Sequence, residues 1–185
     1  MPTVLRVIVG ASGSPASLRA LRYAQHLAHD YDATLVPVLA WLPPCGDLAD
    51  RRTPDEELRR IWAQDAHQQL QGTLNLAWGT LPVGLPVWPL VRRGQPGPVL
   101  AGAACHPGDL LVVGAGRRSI IRIVGGRVSR YCLAYAQCPV LVLPVPPLAH
   151  QAPHGALARA FWRRTLTADQ VSPGKRRAAA QRNPR

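Results

Sequence analysis

Short apolar runs rich in Val and Ile alternate along this chain with stretches whose apolar positions recur at helical spacing. Val4–Gly10 (VLRVIVG) ends on glycine and reads as a buried strand. Ser14-Pro15 follows, a capping serine with proline at the first helical position. Leu18, Leu21, Ala24, Leu27 and Ala28 then mark one helix face as far as His29. Thr34–Trp41 (TLVPVLAW) is a second strand, in which Pro37 predicts a bulge or a less central position. After a loop over Leu42–Thr53, a second helix opens near Pro54-Asp55-Glu56-Glu57, where acids suit the helix dipole, and runs through Leu58, Ile61, Trp62 and Leu70. Leu85–Val91, broken by prolines, is a third strand, followed by a short helix over Pro98–Ala104. Asp109–Gly114 (DLLVVG) is the clearest strand; Val128–Ala136 is a helix and Pro139–Val145 the last strand.

Strands alternating with helices at these lengths imply βαβ crossovers. The expected fold is α/β, a five-stranded parallel sheet with helices on both faces. It occupies residues 1–145. Beyond Val145 the composition shifts to Pro, Ala, Arg and Gln, so 146–185 is expected to be a basic, largely disordered tail with at most a short amphipathic helix at Leu157–Leu166.

Charge changes this picture little. The 185 residues carry a net +12, but residues 146–185 hold 8 basic and 1 acidic side chains, against 14 and 9 in residues 1–145. Most of the excess therefore sits in the tail. No apolar run nears the roughly 20 residues needed to span a bilayer, and the N-terminus lacks the pattern of a secretory signal; the expectation is a soluble, cytoplasmic protein with no membrane partner. Cys45, Cys105, Cys132 and Cys138 contain no CxxC pair and read as free thiols. Cys105-His106 would make one metal-ligand couple, but no second couple completes a site. Neither a Ser/His/Asp or Cys/His set nor paired carboxylates on one face is recoverable, so the chain does not read as an enzyme.

The candidate chemistry lies in Val112–Tyr131 (VVGAGRRSIIRIVGGRVSRY), which holds five arginines and no acid. Ligands of open parallel sheets collect outside the carboxyl ends of strands, at a topological switch point. Gly10 and Gly114 stand at two such ends. Gly114 and Gly116 would let the backbone approach a ligand closely, and Gly125-Gly126 precedes a helix whose first N–H groups favour an anion. There is no GxxxxGK[ST], and Gly10-Ala-Ser-Gly13 has the wrong count for a dinucleotide fingerprint. Spacing alone leaves both an anion site and a plain solvated turn open.

Three blocks, VIVGASGSPASLRALRYAQHLA, DLLVVGAG and GGRVSRYCLAYAQCPVLVLPV, carry a resemblance to the universal stress proteins over roughly Val4–Val145. Many members of that family bind ATP through Gly, two residues, Gly, nine residues, then Gly and Ser or Thr. Gly116 and Gly126 have the nine-residue interval. Three departures accompany it: Gly114 and Gly116 enclose only Ala115, Arg127 stands where the small hydroxyl residue would be, and Ser12 replaces the aspartate that usually contacts the nucleoside. The resemblance implies a nucleotide site in which Gly10, Ser12 and the Ala40 backbone lie near the nucleoside and Gly114 and Gly116 line the phosphate loop. Gly126, Arg127, Val128 and Ser129 would hold the phosphates. It further implies ATP with Mg²⁺ carried by the phosphates, a stress-response role, and a homodimer through Pro139–Val145. The competing expectation is a nucleotide-free dimeric scaffold whose basic turn and tail bind an acidic protein or nucleic acid.

Ser129 is either a phosphate hydroxyl or a first-turn residue satisfied by backbone. His26 and His29 read as surface groups at a helix end, Asp109 as a turn or cap residue, and the five tryptophans as packing.

Overall fold

The structure is a computed structural model that describes residues 4–44, 46, 50, 54–115 and 126–144. Five strands form one sheet: β1 (Arg6–Gly10), β2 (Thr34–Trp41), β3 (Leu90–Arg93), β4 (Asp109–Gly114) and β5 (Val140–Leu143). Their order is β3-β2-β1-β4-β5 and every pairing is parallel. The helices are α1 (Pro15–Asp30), α2 (Glu56–Trp78), α3 (Pro96–Ala103) and α4 (Arg127–Tyr135). This is the expected α/β architecture.

The strand alternation divides the core in two. Val7, Val9, Leu35, Leu39, Val112 and Leu143 face α1 and α2, while Ile8, Val36, Val38, Leu111 and Val113 face α3 and α4. Successive side chains of a strand point to opposite faces, so a run apolar at every position signals a sheet covered on both sides.

Several boundaries differ from the sequence expectations for identifiable reasons. Strand β1 begins at Arg6 rather than Val4, with Leu5 well exposed beside it. Strand β3 is only Leu90–Arg93, preceded by a lone bridge from Val87 to Leu35, because Pro37 of β2 has no N–H to donate in the interval between them. Helix α3 starts at Pro96, two residues early, and α2 continues to Trp78, where Gly79 (φ 75°) ends it. Only the second half of α2 packs against the sheet: Ala66, Leu70, Thr73, Leu74 and Ala77 are buried, whereas Leu58 and Ile61, expected on its apolar face, are exposed. Strand β5 spans Val140–Leu143, and Val145 lies outside the described residues.

Pro37 corrects a second expectation. It sits, fully buried, in a regular strand flanked on both sides, paired in register with Val9. The neighbouring bonds explain why this is tolerated. Leu35 exchanges hydrogen bonds with Pro86 and Trp88 on the β3 flank, while the Val38 carbonyl accepts from Ala11 on the β1 flank. Pro37, two residues after Leu35, therefore turns its missing N–H toward β3, in the interval between that bridge and the Val38–Leu90 pair. No ladder bond is lost to β1.

Candidate functional site

Because all five strands are parallel, Gly10, Trp41, Arg93, Gly114 and Leu143 end on one edge of the sheet. After β1 the chain crosses to β2 on one side, and after β3 it returns to β4 on the other. The switch point thus lies between the carboxyl ends of β1 and β4, and helices α1 and α4 both begin there.

Helix α1 is closed by its own side chains. The Ser14 hydroxyl accepts from the Ser17 amide (3.2 Å), and the Ser17 hydroxyl donates to the Ser14 carbonyl (2.9 Å). Ser12 is exposed, and its hydroxyl lies 3.1 Å from that of Ser14, joining this serine cluster. Helix α4 begins differently. Its N-cap is Gly126, with no side-chain cap and no acid in the first turn. Among the described residues, the first amides of α4 have no side-chain acceptor, beside an exposed Arg127.

Two residues assigned by resemblance to phosphate binding make contacts within the fold. Ser129 is buried (1% exposed) and its hydroxyl donates to the Gly126 carbonyl at 3.0 Å. Gly114 was expected to admit a ligand, yet a Cβ there would fall 2.6 Å from the Ala16 carbonyl oxygen. Its lack of a side chain lets α1 close onto β4. Gly10 is related, since a Cβ would meet Leu100 of α3 at 3.2 Å.

Ala40 is half-buried near the carboxyl end of β2, paired with Arg92. Ala115, after β4, donates to the Leu143 carbonyl (2.7 Å). Val128 packs partly against the core beneath α4. Gly116, Arg117, Arg118, Arg122 and Gly125 lie outside the described residues, as does the tail 146–185. Gly10, Ser12, Gly114 and Gly126–Ser129 therefore share one edge of the sheet.

Two charged clusters escaped the sequence reading. Arg6 and Asp109 open neighbouring strands in register, and the Arg6 guanidinium donates to both Asp109 carboxylate oxygens, at 2.8 and 2.7 Å. Asp109 also accepts from the His106 amide (2.8 Å), so its expected turn role is present together with an ion pair. Burial works against ionising Asp109, but the Arg6 and His106 hydrogen bonds outweigh it and hold the carboxyl below its usual range. At the other edge of the sheet, buried Asp50 accepts from Arg59 (3.0 Å to each oxygen) and Arg93 (2.7 Å), chiefly through Arg59 lowering its proton affinity. This joins the β2–α2 connection to the end of β3. Only strand register and loop path bring these partners together.

An open groove of about 440 Å³ lies between the late turns of α1 and α2, lined by Arg22, His26, Trp78 and Val83. Helices run antiparallel to the strands here, so these late turns lie at the amino edge, away from the switch point. His26 and His29 are exposed, as expected; Trp41 and Trp78 pack against the core, while Trp88 is exposed. Among the described residues no cluster of His, Cys, Asp and Glu has metal-binding form, and no helix is long and apolar enough to cross a membrane.

The fold and this edge define a three-layer α/β protein whose topological switch point lies between β1 and β4. The universal stress protein family model matches residues 3–144, and the chain belongs to that family. A solved universal stress protein in complex with cAMP is 23% identical, with a TM-score of 0.50, covering 78% of this chain and 99% of its own. Universal stress protein UspA from Lactobacillus plantarum is 22% identical, with a TM-score of 0.58, covering 77% and 99%. No curated protein sequence matches the chain.

Proposed function

We propose that this protein is a stress-response module that binds an adenine nucleotide at the crevice between β1 and β4, without turning it over. The observation that carries the reading is the start of α4: a glycine N-cap, no acid in the first turn, an exposed Arg127 and, among the described residues, no side-chain acceptor. Amides in that state favour a phosphate, and an adjacent guanidinium strengthens the preference. The related universal stress protein complexed with cAMP supports the same class of ligand.

The residues present fit a nucleotide in part. Gly126, Arg127 and Val128 offer backbone amides to phosphates, and Ser12 offers a hydroxyl rather than a carboxylate to the nucleoside. Replacing that charged acceptor forgoes roughly 1.5–3 kcal/mol. ATP is the proposed ligand, with Mg²⁺ carried on its phosphate oxygens when bound. The partner is a second copy through Pro139–Val145, where the apolar edge strand β5 ends the sheet. The proposed compartment is the cytoplasm.

Calorimetric titration with ATP, AMP and cAMP tests the reading. Saturable binding is expected, weakened at least about tenfold (about 1.4 kcal/mol) by Gly126→Val, whose side chain crowds the phosphate approach. Circular dichroism establishes that the variant is folded. Absence of binding at millimolar nucleotide, or unchanged affinity in the folded variant, overturns the proposal and leaves the nucleotide-free scaffold.

A further inference from the structure

The groove at the amino edge, between the late turns of α1 and α2, shares no residue with the proposed crevice. Arg22, Gln25 and His26 form one wall from α1, and Trp78 with residues 80–83 forms the other. A smaller hollow of about 140 Å³ continues it along α1, sharing Gln25, His26 and Val83 and adding His29. Cavities that hold small organic molecules measure roughly 300–1,000 Å³. The main hollow, at about 440 Å³, falls in that range.

Arg22 brings a full positive charge to the groove, and no lining residue is acidic. That charge is fixed in place. Arg22 Nε donates to the Ala77 carbonyl (2.9 Å) and Nη2 to the Leu76 carbonyl (3.2 Å), two of the last carbonyls of α2. These bonds cover the negative end of the α2 dipole, which would otherwise oppose an anion. They leave the Nη1 hydrogens uncommitted among the described residues. The facing wall holds a further donor: Trp78 Nε1 is buried and meets no acceptor among the described residues. Leu81 and Val83 are 57% and 99% exposed, so the same wall offers apolar surface to solvent.

We propose that this groove binds a small organic acid, with its carboxylate on Arg22 and its apolar body against Trp78, Leu81 and Val83. A guanidinium held in one orientation offers a carboxylate charge-assisted hydrogen bonds of defined geometry. One such guanidinium matches a single carboxylate rather than a polyphosphate, so the ligand differs in class from that of the crevice. The Trp78 indole lies in the wall that the ligand covers, and its N–H reports the ligand's arrival.

The test titrates the full chain with naphthoate, and with naphthamide as its neutral match, and follows the indole N–H signals by nuclear magnetic resonance. The chain has five tryptophans, and Trp78→Phe identifies the Trp78 signal. Naphthoate is expected to shift that signal saturably, and naphthamide to bind at least about fivefold more weakly for want of the charge-assisted bonds. Val83→Asp sets a like charge beside the ligand and is expected to weaken naphthoate by about fivefold or more. Val83→Asn, its neutral isostere, is expected to retain binding; at so exposed a position neither substitution disturbs the core. A Trp78 signal unmoved at millimolar naphthoate, equal affinity for naphthoate and naphthamide, or equal affinity in Val83→Asp and Val83→Asn overturns the proposal. ATP added to the same sample is expected to leave naphthoate bound, and competition between the two also overturns it. Failure of ATP to bind at all bears on the crevice alone.

Discussion

Gly114→Ala is the sharpest probe of the switch point, because it separates a packing role from a ligand role. The added Cβ would lie 2.6 Å from the Ala16 carbonyl oxygen, 2.7 Å from its carbonyl carbon and 2.8 Å from its Cβ. Ordinary contact needs about 3.4 Å, so α1 and β4 must part by about 0.8 Å; a gap of that size forfeits roughly a quarter to a half of the dispersion energy across it. Two of the opposing atoms are backbone, so no rotamer change relieves the clash. Overpacking costs typically 1–3 kcal/mol, and this geometry belongs at the upper end, about 2–3 kcal/mol. The corresponding fall in Tm is about 4–12 °C for a chain of this length. Urea unfolding followed by tryptophan fluorescence and circular dichroism supplies the measurement, with an unchanged m-value required. Gly102→Ala is the control, since a Cβ there meets nothing within 4 Å. A Gly114→Ala protein within about 0.5 kcal/mol of wild type would refute the packing argument.

Two further outcomes test the scaffold. Gly72 lies inside α2 with open space where a Cβ would go, so Gly72→Ala should stabilise the protein by about 0.5–1 kcal/mol in the same denaturation assay. Asp109→Asn should cost about 2 kcal/mol at neutral pH through weakened bonds to Arg6. Because the folded-state carboxyl is held below its ordinary value of 3.8, its stabilisation is present above that value and lost as pH falls through the lower folded one. The difference between wild type and Asp109→Asn should therefore shrink only in acid below about pH 4. A difference that stays constant throughout the acid limb of the stability profile would count against it.

The sequence made the architecture legible where local signals were redundant. Thr34–Trp41 and Asp109–Gly114 match their expected strands end to end, because each is a short apolar run opened by a polar residue. Ser14-Pro15 marks the start of α1 and Asp55 the start of α2, where its carboxylate accepts from Glu57 and Leu58. Strand β3 was legible only as a region. Its edges depend on which donors find partners, and proline removes donors without saying which flank they would have faced.

Composition and period thus determined the layers, the order of elements and the edge at which a ligand would collect. Tertiary structure decided what individual residues do there. A glycine spaced for a phosphate loop, Gly114, proves to be where a helix backbone touches a strand. A hydroxyl spaced for a phosphate, Ser129, bonds back to Gly126, and Arg6 finds Asp109 about a hundred residues away through strand register. Periodicity is a local property that the chain carries at every position. Contact at 3 Å is set by the docking of whole elements, and the same residue type serves packing or binding according to which neighbour arrives.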